Sequence, residues 1–333
     1  MMLTLVGVSD GMLGEIAARS KGTGADILVR PPGSSVLAFS GAMPEGVVRV
    51  VREQPHVALA TGTFVQTIGN FNSITGIHLD EFNQISGGLK YLDGGPFQKP
   101  GDLIVDDVYA QANKLRIGGH PKDLGLDWKV CGIVEQGKLS RMFAPIDYLQ
   151  DKYAQKDKVS VIYVKVDDPA NIQMVLDELK QKLDEYKIFT VEEFTSLISV
   201  DSIPILKQFT GVVIGLGVVI GFLVVSLSMY MAVLERTREI GILKALGASP
   251  GYIMGMLLRE AVVLGVVGTI AGILMTYGTR SLIHVFAPTW TATIVKAWWW
   301  KAGLIALAAA LIGALYPGFK AAKQDAIEAL AYD

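Results

Sequence analysis

The chain has 333 residues, 51% of them hydrophobic, and a mean hydropathy of +0.40. That is too apolar for an ordinary soluble protein and too polar for one made only of membrane spans. The net charge of −2 and the lack of a basic patch with interleaved aromatics exclude a nucleic-acid partner, and the single cysteine, Cys131, excludes an intrachain disulfide or a cysteine-based zinc site.

The apolarity is unevenly placed. Residues 20–200 hold most of the Asp and Glu and no long uncharged apolar run, whereas residues 205–320 are nearly all apolar. The boundary near Asp201 to Pro204 therefore divides a water-soluble domain, 20–200, from a membrane domain, 201–333. Met1 to Val8 is apolar but too short to span, and it lacks the basic leader of a signal peptide.

In chain order, Ala25 to Val29 reads as a buried strand bounded by Gly24 and Pro31-Pro32. Ser34 to Gly41 reads as a loop exposing Val36, Leu37 and Phe39. Pro44 is expected to open a helix with Val47, Val48 and Val51 on one side. His56 to Ala60 reads as a strand, and Phe64 to Ile77 as strands joined by turns at Gly69-Asn70 and Gly76. Gly87-Gly88 and Gly94-Gly95-Pro96 punctuate a loop before a strand at 102–105 and a helix at about 106–114. Cys131 lies in the apolar run Trp128 to Val134 and reads as a buried strand thiol. Val159 to Val166 is a strand. Asp168-Pro169 caps a helix to about Tyr186, with Ile172, Val175, Leu176, Leu179 and Leu183 on one face. Lys187 to Thr190 is a last strand. Thr190 and Glu193 have capping-box spacing, and the helix they open is expected to continue, bent at Pro204, into the first span.

Three spans follow, at about 209–234, 255–279 and 300–317. The first carries Gly211, Gly215, Gly217 and Gly221, and the second Gly268 and Gly272; this spacing suits close helix packing, within the subunit or across a dimer. Glu260, near the inner end of the second span, is an intramembrane candidate that reads equally as a solvated anchor beside Arg259. Trp290 and Trp298-Trp299-Trp300 read as interfacial anchors facing membrane lipid. Arg236, Arg238, Lys244, Arg259, Lys320 and Lys323 lie on one side of the spans, against Arg280, Lys296 and Lys301 on the other. This excess places residues 235–260 in the cytoplasm and the soluble domain outside.

Between the first two spans lies Glu235-Arg236-Thr237-Arg238-Glu239-Ile240-Gly241-Ile242-Leu243-Lys244-Ala245-Leu246-Gly247-Ala248. Glu235 and Glu239, and Ile242 and Leu246, are four apart, so each pair shares a helix face. Gly247 suits the helix end, and Ser249-Pro250 suits the start of the next helix. These fourteen residues resemble the cytoplasmic signature of FtsX-like permeases, the MacB-type membrane subunits of ABC transporters. The tail, Tyr316 to Ala322 and then Ala326 to Leu330, is similar to the family's, with Asp325-Ala326 where the family usually has Asp-Pro. The stretch from Asp102 through Val134 to Pro145 is similar to the outer core domain of that family.

The resemblance implies an α-helical membrane domain plus an α+β extracytoplasmic domain, in a multi-pass protein of the bacterial inner membrane. It also implies a fourth, N-terminal span, of which residues 1–19 would hold the last turns and the exit. A separate cytoplasmic ABC ATPase would bind the ATP and dock on Glu235, Arg236, Arg238, Glu239, Gly241, Lys244 and Gly247. A second permease copy or paralogue and an extracytoplasmic adaptor are the other implied partners. The chain itself has no Gly-x-x-x-x-Gly-Lys-Ser/Thr loop, and His56, His78, His120 and His284 are scattered, so neither a catalytic role nor a cofactor or metal is expected. The leading reading is a transport permease. The alternative is a transmembrane signal transmitter that regulates an extracytoplasmic enzyme; a membrane-anchored adhesion or sensor protein would need no ATPase.

Overall fold

The computed structural model describes residues 2–34, 41–68, 72–124, 127–200 and 202–323. The loop around Val36, Leu37 and Phe39, the Gly69-Asn70 turn and the tail from Asp325 to Leu330 lie outside the described residues. The chain divides into two compact units, a helical one of residues 1–10, 204–286 and 292–333 and an α+β one of residues 11–203 and 287–291.

Helix α1 (Met2–Lys21) runs through both segments at the start of the chain, so the apolar first residues belong to a longer helix than their length alone indicates. In the α+β unit there follow β1 (Ile27–Arg30), β2 (Met43–Pro44), α2 (Gly46–Arg52), β3 (Val57–Ile68), β4 (Asn72–Ile77), α3 (Leu79–Ser86) and β5 (Tyr91–Gly94). Next come β6 (Asp102–Asp106), α4 (Asp107–Ala112), β7 (Lys129–Val134), β8 (Met142–Pro145), α5 (Ile146–Lys152) and β9 (Lys158–Val159). The unit closes with β10 (Val161–Val166), α6 (Ile172–Lys182), β11 (Lys187–Thr190) and α7 (Val191–Leu197).

Nine strands form one mixed sheet in the order β11-β1-β10-β3-β4-β8-β6-β7-β5. β4 with β8 and β6 with β7 are parallel; the other pairs are antiparallel. Ile27, Val29, Ile162, Val164, Leu103 and Val105 are buried on the sheet, and Leu149 of α5 and Val175, Leu176 and Leu179 of α6 join the same core. Each such fully buried aliphatic side chain contributes about 1.5–3 kcal/mol. A Cβ on Gly76 would lie 3.0 Å from the Ile146 backbone, so the glycine is what lets α5 lie directly on β4.

Several elements differ from the sequence reading. Pro44 pairs in β2, and the helix after it starts two residues later. The punctuated loop before Asp102 contains β5, and the unassigned stretch just before it forms α3, an amphipathic helix that buries Phe82 and Ile85. The helix after Asp168 has a 3-10 turn, Pro169–Asn171, before α6, and α6 ends at Lys182. The Thr190 hydroxyl does cap α7, accepting from the Glu193 N–H at 3.0 Å. That helix does not run on into the membrane: it stops at Leu197, and a new helix starts at Pro204. Proline disfavours helical backbone at the residue before it and has no N–H to lose at a first turn, so Pro204 starts a helix instead of bending one. Ser199 and Ser202 bond to each other and to local backbone in the break.

The helical unit holds α8 (Pro204–Glu235), α9 (Thr237–Ala245), α10 (Pro250–Phe286) and α11 (Ala297–Lys323). α8, α10 and α11 are long and apolar enough to cross a membrane. α10 runs past the expected end of its span, and α11 continues through Pro317. There Gly318 and Ala321 are buried, and a Cβ on Gly318 would meet the Met254 sulfur at 2.8 Å, so packing on α10 holds the helix together beyond the proline.

Cys131 is half-buried in β7, and its thiol is pushed up to about 12, chiefly by burial and then by the nearby Asp102 charge. Only the thiolate attacks a maleimide, so Cys131 in the folded chain should label at about pH 8 on the order of 10³-fold more slowly than a free thiol. Denaturant should restore the ordinary rate, and a time course of labelling with and without it checks this.

Candidate coupling site at the helix elbow

The charged segment between α8 and α10 is a helical elbow, and its two ends are defined by local chemistry. Its first turn is tied to α8 by Thr237, whose hydroxyl donates to the Val233 carbonyl at 3.0 Å. At its far end Gly247 has φ +93°, the Gly247 N–H donates to the Lys244 carbonyl at 2.9 Å, and the Ala248 N–H donates to the Leu243 carbonyl at 2.9 Å. This paired closure is a Schellman motif, which needs a left-handed residue where Gly247 stands. Ser249 then caps α10, its Oγ accepting from the Tyr252 N–H at 3.2 Å, with Pro250 at the first position.

The inner face of α9 is fixed to the helices around it. Ile240 is buried in a cluster with Met229 and Val233 of α8, Ile253, Leu257 and Ala261 of α10, and Ala314 and Ala321 of α11. Lys244 Nζ donates to the Ala322 carbonyl at 2.7 Å, placing a cation on the carbonyl end of α11. Arg236 lies 3.7 Å from Glu260 of α10. Gly241 is buried.

The outer face is different. Glu235, Arg238, Glu239, Ile242, Ala245 and Leu246 are exposed, Leu246 at 81% and Ile242 at 45%. Of the residues expected to meet an ATPase, the structure thus groups Glu235, Arg238 and Glu239 on the open face. Arg236 is also exposed but lies beside Glu260, Gly241 and Lys244 face inward, and Gly247 forms the cap. Ile242 and Leu246, legible as one face in the sequence, are the apolar part of that open surface. Their spacing was the only signal, because whether that face points in or out depends on the other helices.

Glu260, the intramembrane candidate, is the partner of Arg236 at the elbow. Gly211, Gly215, Gly217 and Gly221 of α8 and Gly268 and Gly272 of α10 meet no described atom within 4 Å of an added Cβ, so they do not form the intrasubunit helix interface that their spacing suggests. The close approaches are made by Gly265 to Leu307 and by Gly313 to the Phe222 carbonyl, both at 3.0 Å. Lys301 lies over the Trp298 ring at 4.9 Å, and Tyr277 meets Trp299 edge-on at 6.2 Å. Among the described residues no three His, Cys, Asp or Glu are grouped to hold a metal.

Residues 211–326 match the FtsX-like permease C-terminal family and residues 1–182 the MacB-like periplasmic core domain. The chain belongs to the MacB/FtsX-type permease family of ABC transporters. It is 31% identical over 247 residues to the uncharacterized ABC transporter permease YknZ of Bacillus subtilis (strain 168), covering 71% of this chain and 60% of that protein. It is 26% identical over 258 residues to the macrolide export ATP-binding/permease protein MacB of Bdellovibrio bacteriovorus, covering 70% of this chain and 38% of that protein. A solved periplasmic region of MacB from Actinobacillus actinomycetemcomitans aligns at 15% identity and a TM-score of 0.39, over 54% of this chain and 94% of that one. The chain therefore spans about 60% or less of these curated relatives. Its α+β unit thus corresponds to the MacB-like periplasmic core domain and its helical unit to the FtsX-like permease C-terminal region.

Gly247→Ala forces an L-residue into the left-handed region and should destabilise the elbow by about 1 kcal/mol. Gly278→Ala, whose Cβ meets open space on α10, should cost nothing and gain helix propensity. Thermal unfolding of the two variants in detergent compares them.

Proposed function

We propose that the chain is the permease subunit of an ABC transporter, driven by a separate cytoplasmic ATPase that docks on the open face of α9. The observation that carries this reading is the two-sided elbow. Its inner face is fixed to α8, α10 and α11 by Ile240 and Lys244. Its outer face presents Arg238, Glu239, Ile242 and Leu246. A push on that face would reach all three spans together, because a packed cluster transmits displacement without slack. The MacB relatives are named for a joint ATP-binding and permease function, which supports an ATPase acting with this chain. The Lys and Arg excess on the elbow side supports a cytoplasmic elbow in the bacterial inner membrane, with the α+β domain outside. On this reading ATP-driven closure of the ATPase moves the outer domain, for export or extraction of a substrate.

Reversing charge at Arg238 and Glu239 together should abolish permease-stimulated ATP hydrolysis while membrane insertion is retained. Leu246→Asp should do the same. Unchanged stimulation in both variants removes α9 as the docking element. ATP-dependent release of a lipid, peptide or small-molecule cargo supports transport, whereas ATP-dependent switching of an outer enzyme with no cargo released favours signal transmission.

We also infer that the protein acts as a pair. The open glycine positions of α8, Gly211, Gly215 and Gly217, lie on an exposed apolar helix with Val212, Leu216 and Val219. Gly215→Leu should then shift the detergent-solubilised protein from dimer to monomer in light scattering, with no change in the chain's helix content.

A further inference from the structure

The α+β unit contains five residues that the chain order assigns to the membrane part: Ala287–Thr291, the turn between α10 and α11. They are held by charged side chains. Arg141, one residue before β8, donates through Nη2 to Glu15 Oε1 at 2.5 Å and to the Thr289 carbonyl at 2.9 Å. The Thr291 hydroxyl donates to the other oxygen of the same Glu15 carboxylate. Arg19, one turn along α1, lies 2.6 Å from Glu15 and 3.0 Å from Asp106 Oδ2. Asp106 in turn caps α4, its Oδ1 accepting from the Tyr109 N–H at 2.7 Å. Two cations and two anions thus form one continuous chain, with side-chain exposures of 10% for Arg19, 20% for Glu15, 1% for Asp106 and 14% for Arg141. Removing one member would leave a neighbour charged and poorly solvated, so such a network holds as a unit.

An independent contact lies two residues further on. In the helical unit the Thr293 N–H donates to the Gly7 carbonyl of α1 at 2.9 Å, and a Cβ on Gly7 would fall 2.3 Å from the Thr293 carbonyl oxygen. No side chain fits there. Residues 287–291 are therefore fastened by charge within the α+β unit, and Thr293 by close backbone approach to the first turns of α1 within the helical unit.

We propose that residues 287–293 are a strap that makes the turn between α10 and α11 move with α1 and the α+β domain, with Arg141, Glu15 and Thr291 as its positioning residues. Covalent connection between the two units runs only through α1, the segment after Ile198 and the two ends of this turn. A loose turn would let α10 and α11 move without the α+β domain. A strapped turn adds a route for force through the second and third spans. This role rests on the ATPase-driven reading above; the strap itself does not.

The test uses the full chain in proteoliposomes, with Cys131→Ser and a reporter, Thr289→Cys, that leaves the bonded carbonyl intact. Arg141→Met should raise the rate of maleimide labelling of the reporter about fivefold or more, as expected for local opening of a segment that has lost its fastening. Arg141→Lys should fall between, and Gly7→Val, which leaves the charges untouched, should also raise the rate. Lys152→Met, which breaks only the Lys152–Asp127 pair away from the strap, should not. Unchanged labelling in both Arg141→Met and Gly7→Val overturns the strap whether or not an ATPase is involved. With the partner ATPase added, ATP should change the labelling rate of the reporter in the parent chain. Arg141→Met should lose that ATP-dependent change while still stimulating ATP hydrolysis. A change that persists in full in Arg141→Met overturns the coupling role and leaves a structural fastening. A parent chain that stimulates no hydrolysis counts against the proposed function and leaves the labelling result standing.

Discussion

The helical unit depends on how α9 is seated. A short amphipathic helix of nine residues is marginal alone, and most of its stability must come from packing. Ile240 supplies that packing, buried at 2% exposure among residues of α8, α10 and α11. Lys244 adds a charge-assisted bond to the last carbonyls of α11, where the helix dipole is negative. The Schellman closure at Gly247 then sets the direction in which α10 leaves. With these three in place, the orientation of Arg238, Glu239, Ile242 and Leu246 follows, because α9 has only one face left. Surface charges on a freely rotating loop would offer a partner no defined footprint.

The α+β unit solves a different problem. Its sheet has nine strands and two edges, β11 and β5, and its core is continuous from Ile27 to Leu103 through paired strands. Helices α5 and α6 cover the apolar face. The buried charges Glu15, Arg19, Asp106 and Arg141 do not belong to that core. Burial pushes the Asp106 carboxyl up while Arg19 and Arg141 pull it down, and burial lowers the Arg141 guanidinium. Such pairs contribute little net stability compared with apolar packing, and their usual value is to define one arrangement among several. Here the arrangement they define is that of α1 and the 287–291 turn against the end of β6 and the start of β8.

Glycine serves two different purposes in the chain. Gly76, Gly265, Gly313 and Gly318 are close-approach positions, each with a neighbouring atom within about 3 Å of an ideal Cβ. The glycines of α8 face open space within the chain. This distinction bears on partner surfaces, since a helix that is apolar all round and rich in unused glycine is suited to a neighbour from another chain or to lipid.

How much of this was legible in advance varies element by element. Three long apolar runs must be helices in a bilayer, because no other single segment satisfies its own backbone there; their existence follows from composition alone. The elbow was equally legible, since Glu235 to Ala248 combines helix periodicity, a glycine stop and a Ser-Pro start within fourteen residues. Strands such as Val161 to Val166 were readable from uninterrupted apolar runs, whereas β5 was not, because a four-residue, mostly exposed strand leaves almost no period to read; α3 went unassigned although Leu79, Phe82 and Ile85 have helical spacing, since eight residues give barely two turns of it. The sequence by itself determined which long apolar segments would be helices able to span a membrane, where the elbow between them would start and stop, and where the charges would lie along the chain. Only the tertiary structure decided which of those charges face each other: that Lys244 turns inward to α11, that Glu260 meets Arg236, and that Glu15 and Arg141, 126 residues apart, share one bond. Periodicity reports the face a residue occupies on its own helix, but a pairing across such a distance depends on how separate elements pack, and no local pattern encodes that.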